Sequence, residues 1–113
     1  MPAPVYSQGE VLLAWLVFSD GQGSKRRPVL VVRDFGDADL LVVPITSHPA
    51  RTATDVVVHN WKEAGLKLPS TVRAEKLATI EKSRVERRLG KLPPAALTKF
   101  KESLAAICKQ IAQ

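Results

Sequence analysis

Two short β-branched runs, Pro28 to Val32 (PVLVV) and Leu40 to Val43 (LLVV), flank the segment Asp34-Phe-Gly36-Asp37-Ala-Asp39. No other pattern in the chain restricts the fold as much. β-Branched side chains suit a pleated surface, while Gly and Asp suit a reversal, so the region predicts an antiparallel hairpin. Symmetry about the Gly36/Asp37 bond then sets Arg27 directly across from Thr46. Directly opposed residues point to the same face with Cβ atoms roughly 5 Å apart, and a slip of one residue would separate them. Pro28 follows Arg27 and Pro44 precedes Thr46 by two. Each proline removes a ladder donor, so both side chains fall where regular pairing frays and a ligand can approach. The other reading of the same spacing is an ordinary basic surface residue and an ordinary strand threonine.

The remaining elements point to one small domain spanning 1–113. Gly9 to Phe18 (GEVLLAWLVF) is apolar on both alternating faces and predicts a strand covered on both sides, by the core and by a second element or subunit. Asp55 to His59 reads as a short strand, and Asn60 to Gly65 as one or two helical turns opened by an N-cap and closed by glycine. Ser70 to Ala74 and Ala78 to Lys82 complete a small sheet. Leu97, Phe100, Leu104, Ile107 and Ile111 recur at helical spacing behind Pro93-Pro94, giving a terminal helix with one apolar stripe. Short strands followed by a helix predict a mainly β (α+β) fold, a small SH3-like β-barrel with a C-terminal α-helix. A 113-residue chain that is 45% hydrophobic can build such a core without disulfides or a structural metal. Its one cysteine, Cys108, lies among Ala105, Ala106, Ile107 and Ile111 and is expected to be a reduced, half-buried thiol. The opening residues carry no basic start and no apolar run, so a cytoplasmic location is expected.

Charge narrows the choice of partner. Residues 1–59 hold 5 basic and 6 acidic side chains, and residues 60–113 hold 12 and 5, so the net charge of +6 comes from the second half. The densest basic stretch runs from Lys82 to Lys91, and Lys25-Arg26-Arg27 is a second knot. Such clusters attract polyphosphates or an acidic protein, or merely solvate a face.

A guanidinium keeps its charge at neutral pH and offers forked donors to a phosphate, and a neighbouring hydroxyl can donate to or accept from the same group. The pair Arg27 and Thr46 therefore suits a phosphodiester. In RNA the 2′-hydroxyl can attack its own phosphate, and the catalyst chiefly stabilises the charge that builds on the phosphoryl oxygens. No HxxxH or CxxC spacing offers a metal-ligand set, and no cofactor is expected. His48, two residues past Thr46, is a candidate base or a solvated loop histidine; His59 reads as a strand-end residue. Trp15 is expected in the core, and Trp61, beside Lys62, is the better candidate for stacking on a base.

These segments, in this order, resemble the PemK/MazF family of toxins from bacterial toxin-antitoxin pairs. The resemblance rests on GEVLLAWLVF, on GSKRRPVLVV at Gly23 to Val32, on VVPITS at Val42 to Ser47 and on EKLATIEKSRVERRLGKLPP at Glu75 to Pro94. It implies an SH3-like barrel that forms a homodimer, cuts single-stranded RNA at short sequences without metal, and is held inactive by an acidic antitoxin. It also implies Arg27 and Thr46 as the catalytic pair, with Arg27 stabilising the phosphorane and Thr46 orienting the phosphate or the attacking hydroxyl. Lys25, Arg26, Ser47, His48, Trp61, Lys76, Lys82 and Arg84 are the candidate RNA-binding residues. The chain departs from the family in its loop from Ser19 to Arg26, which is shorter and lacks a Ser-Glu-Gln run, and in Glu75-Lys76, where many members carry Asp-Gln. Two other functions fit the same barrel: a nucleic-acid or protein adaptor without catalysis, and, by fold analogy with the CcdB toxins, a poison of DNA gyrase.

Overall fold

The computed structural model describes residues 3–17 and 23–113. Seven strands, β1 (Glu10–Val17), β2 (Ser24–Arg33), β3 (Asp39–Thr46), β4 (Asp55–Val58), β5 (Ser70–Arg73), β6 (Ala78–Glu81) and β7 (Val85–Lys91), precede one helix, α1 (Pro94–Ile111). The sheet runs β4-β5-β3-β2-β1-β7, with β6 also beside β3. The expected hairpin forms with the expected register, pairing Val29 with Pro44, Leu30 with Val43 and Val31 with Val42 before a bulge shifts Arg33 onto Leu41. Its reversal is set locally: Asp34 Oδ1 accepts the Gly36 N–H at 2.8 Å and Asp37 Oδ1 accepts the Asp39 N–H at 3.0 Å. Short Asx turns of this kind hold the chain where the ladder has no partner to offer.

The sheet buries both faces along its middle. Val11, Leu30 and Val43 pack with Phe100 and Ile107 of α1 on one side, while Leu12, Val29, Val31 and Val42 pack with Tyr6 on the other. β1 is therefore covered on both faces in its first half, as its uninterrupted apolar run requires. In its second half Trp15 and Val17 are 40% and 59% exposed, so Trp15 is not a core residue. Phe18 and residues 19–22, half of the segment expected as a loop from Ser19 to Arg26, lie outside the described residues, and Ser24 to Arg26 belong to β2.

Four other expectations change. Asn60 to Gly65 forms turns without becoming a helix; it closes as a helix end would, with Leu66 N–H on Trp61 O and Gly65 N–H on Lys62 O, both at 3.0 Å. Cys108 is exposed, because the apolar stripe of α1 runs through Phe100 and Ile107 and leaves both Cys108 and Ile111 outside it. The basic stretch after Lys82 includes a strand, β7, which a row of Val-Glu-Arg-Arg does not announce and which pairing with β1 supplies. Finally, no ladder joins β4 to β7 among the described residues, so the sheet is open and barrel-like, not a closed barrel. β7 is instead closely packed against the turns that follow β4: a Cβ on Gly90 would lie 2.6 Å from Ala64 O.

Lys82 belongs to the scaffold. Its Nζ sits 2.9 Å from Asp34 Oδ2, with the two side chains 5% and 2% exposed, and it donates to Pro4 O at 2.7 Å. The same carboxylate oxygen accepts the Tyr6 N–H at 2.9 Å. Arg88 adds a second clamp, pairing with Glu10 at 3.0 Å and lying 4.5 Å over the Tyr6 ring. Together these contacts pin the N-terminal segment across the Leu12/Val29 face of the sheet. The Tyr6 N–H, then Lys82 and the Gly36 N–H, hold the Asp34 carboxyl down at about 2, from 3.8. A depressed carboxyl pKa adds stability that is full above the unfolded value and lost as pH falls through the folded one. Acid titration of the melting temperature should therefore show a loss between about pH 4 and 2 that is smaller in Asp34→Asn. Lys82→Met, which leaves a buried carboxylate unpaired, should cost about 3 kcal/mol in urea denaturation.

Candidate active site

β3 changes partners along its length. It pairs with β2 as far as Pro44 and then with β5 through Ile45 and Thr46, opposite Val72 and Thr71. Pro44 has no N–H, so the ladder on the edge it faces loses a donor at that point. The sheet splits there, and a cleft of about 770 Å³ opens beside the split. Arg27 and Thr46 both line it. Continuing the Val29–Pro44 pairing by two residues puts both side chains on one face, because directly opposed residues and their neighbours two along share a face.

Thr46 is oriented by its own backbone. Its Oγ1 accepts the His48 N–H at 3.2 Å, which leaves the hydroxyl proton as a donor. Ser47 and His48 follow on the exposed turn and line the same cleft, as does Arg26. Arg26 is steadied by Glu86 at 3.0 Å and lies 5.7 Å over the Trp15 ring. Five of the sequence candidates other than Lys82 are thus brought together, namely Arg26, Arg27, Thr46, Ser47 and His48. Lys25, Trp61, Lys76 and Arg84 are not among the lining residues. Trp61 packs against the core beside α1, with Lys62 over its ring at 5.4 Å. Lys25 and Lys76 are exposed, and Arg84 sits half-buried in the 3-10 turn Lys82–Arg84. Lys82, buried in its ion pair, takes no part.

Three cations of the cleft had no place in the hairpin reasoning: Lys67, Arg73 and Arg87. Arg87 comes from β7, opposite Leu13 of β1, and so enters only once that strand is recognised. Lys67 comes from the segment between β4 and β5, and Arg73 from the last position of β5. With them the lining carries four arginines and a lysine and no carboxylate, around an apolar floor that includes Leu13, Leu66 and Leu89. Like charges gathered over a low-dielectric floor repel one another and focus a positive potential outward, which a polyanion relieves. Among the described residues no three His, Cys, Asp or Glu side chains come together.

Residues 7–108 match the model of the PemK-like, MazF-like toxins of type II toxin-antitoxin systems. The chain belongs to this family. No curated protein sequence matches it, but solved structures do. Toxin MazF-mt6 of Mycobacterium tuberculosis is 26% identical over 88% of this chain and 96% of that one, with a TM-score of 0.73. An endoribonuclease from a mycobacterial species is 24% identical over 96% of this chain and 94% of that one, with a TM-score of 0.73. An endoribonuclease in complex with its cognate antitoxin, also mycobacterial, is 24% identical, covers 93% of this chain and 96% of that one, and has a TM-score of 0.72. The last two likenesses bear on the fold. This PemK/MazF-like chain shares it over nearly its whole length.

The wall of the cleft depends on close backbone packing. Gly65 has φ +81°, and a Cβ there would lie 2.0 Å from Leu89 O, whereas Gly36, at φ +90°, faces open space. Gly36→Ala should cost only the strain of a left-handed alanine, on the order of 1 kcal/mol, and Gly65→Ala several times more. Thermal melts of the two variants compare them directly; equal losses would mean that the contact with β7 is soft.

Proposed function

We propose that this PemK/MazF-like protein is an endoribonuclease toxin that cuts single-stranded RNA by attack of the RNA's own 2′-hydroxyl. The observation that carries the reading is the cleft, where Arg27 and Thr46, on adjacent strands, line one carboxylate-free, five-cation surface. Family membership supports it independently. In the reaction the 2′-oxygen bonds to phosphorus, the bond to the 5′-oxygen breaks, and the products are a 2′,3′-cyclic phosphate and a 5′-hydroxyl. Arg27 supplies two parallel donors to the phosphoryl oxygens as their charge grows. Thr46, with one lone pair already given to the His48 N–H, donates its proton to the same phosphate or to the attacking oxygen. Arginine does not serve as the neutral base, since a guanidinium stays protonated at neutral pH. His48 supplies the imidazole of the lining, the side-chain type best suited to take up the 2′-hydroxyl proton.

The protein acts in the cytoplasm, where its substrate is. A cognate antitoxin neutralises it by covering this basic surface with acidic side chains. The protein works as a homodimer, a reading supported by the exposed Trp15 and Val17 at the end of an otherwise buried strand. No described helix is long and apolar enough to cross a membrane.

Purified protein, freed of any antitoxin and held in chelator, should cut long RNA. Arg27→Ala and Thr46→Ala should each lower kcat/KM at least ~100-fold, the scale expected when a preorganised donor to a developing oxyanion is removed, while melting within a few degrees of the unaltered protein. RNA that is retained in a salt-sensitive way but never cut, with or without Thr46, would identify a binding module instead. Light scattering at micromolar concentration should report a dimer.

A further inference from the structure

β4 (Asp55–Val58) lies at one end of the sheet, paired with β5 and with no strand on its other side among the described residues. The opposite end is covered, since β7 packs against the turns that follow β4. Three valines follow an aspartate in β4, with none of the lysines or prolines that commonly blunt an open edge. Asp55 spends its N–H on Thr52 O at 3.2 Å, in the turn before the strand. By the alternation of an antiparallel ladder, Val56 and Val58 then turn their backbone groups to β5, while Asp55 and Val57 turn theirs outward. The Val57 N–H and C=O face the open edge, and its side chain is 43% exposed.

A nook of about 80 Å³, room for one aliphatic side chain, lies beside that edge. Val57, His59 and Asn60 form one side of it, and Pro93, Ala95 and Lys99, at the start of α1, form the other. Its lining holds a cation and no carboxylate. His59 and Asn60 also open the stretch of chain whose Gly65 to Leu68 line the cleft, so one partner can follow that stretch from the cleft to the nook. An outward-facing strand edge asks for an extended backbone, the nook for an apolar anchor, and Lys99 for an acidic neighbour. RNA has no amide ladder to offer, and a second copy of this edge would bring two basic rims together.

We propose that β4 takes an extended, acidic segment of the antitoxin as an added strand, with one aliphatic side chain seated between β4 and α1 and a carboxylate at Lys99. This rests on the reading that an acidic antitoxin neutralises the protein, and it gives that antitoxin a second foothold outside the cleft. The groups that cut RNA take no part in it, so antitoxin binding and catalysis separate at this edge.

The test uses the whole protein and its cognate antitoxin. Val57→Pro removes the outward N–H where an edge strand has no ladder bond to lose, so it should melt within a few degrees of the unaltered protein. Lys99→Glu reverses the charge of the rim. Each should weaken antitoxin binding about tenfold, the scale of one hydrogen bond or ion pair, with RNA cleavage by the free protein unchanged. Val57→Thr, which keeps the N–H and the strand preference, should bind as the unaltered protein does. In hydrogen exchange the Val57 amide should exchange at least ~tenfold more slowly in the complex than in the free protein. Should Val57→Pro melt early, Lys99→Glu and the exchange rates decide. Antitoxin affinity unchanged in the variants, or no added protection at Val57, would overturn the proposal. Protection that grows with the concentration of the free protein would give the edge to a second copy, and weaker RNA binding in Lys99→Glu would give the rim to RNA; either overturns it too. An antitoxin that fails to bind the unaltered protein removes the neutralisation reading and this proposal together, whereas tight binding that ignores the variants removes only the proposal.

Discussion

Everything in the cleft follows from one backbone constraint: β3 runs through a proline at the point where it passes from one partner to another. Up to Pro44 its residues pair with β2, with β6 also alongside over residues 39–42, and beyond it with β5, and the proline supplies no N–H at the switch. Around the switch three neighbouring strands face one space, and each delivers a side chain able to bind an anion: Arg27 from β2, Thr46 from β3, Arg73 from β5. The rest of the molecule holds this split open, with Phe100 and Ile107 of α1 closing one face of the sheet and the Tyr6 segment closing the other.

The basic excess is divided between two jobs. Some of the cations are consumed by the fold, Lys82 on Asp34 and Arg88 on Glu10 and the Tyr6 ring. Such pairs have their charge compensated inside the protein and add little to its outer field. The cations of the cleft have one nearby structural carboxylate at Arg26 and another beside Arg73, and none among the lining residues. Their field is directed at whatever enters. A net charge of +6 therefore understates the contrast between a compensated back and a polyanion-seeking cleft.

Much of this was legible in the residues. The hairpin register, the strand positions of β1, β4 and β5 and the helical stripe through Phe100 and Ile107 follow from periodicity and turn chemistry, and the register was enough to bring Arg27 toward Thr46. What escaped was set by tertiary contact. β7 is rich in Arg and Glu and becomes a strand because β1 offers it an edge. Lys82 looked like part of a surface cluster, but Asp34, distant in sequence and close in space, drew it inside. Cys108 and Trp15 sit in apolar sequence yet face outward, since periodicity gives the existence of a buried face better than its edges. Arg73 carries no local signal beyond its place in a short strand; only the pairing of β5 with β3 puts it beside the site.

The central claim is that the cleft directs an RNA strand's own 2′-hydroxyl against the neighbouring phosphate. Cleavage of paired RNAs, one all-ribose and one with a single 2′-deoxynucleotide at the cut step, tests it most directly. The account requires that the deoxy strand stay whole at that step, bind as tightly as its partner, and that the all-ribose strand yield a 2′,3′-cyclic phosphate by mass spectrometry. Continued cutting of the deoxy strand at the same bond would mean that another nucleophile attacks, and would contradict the mechanism built on Arg27 and Thr46.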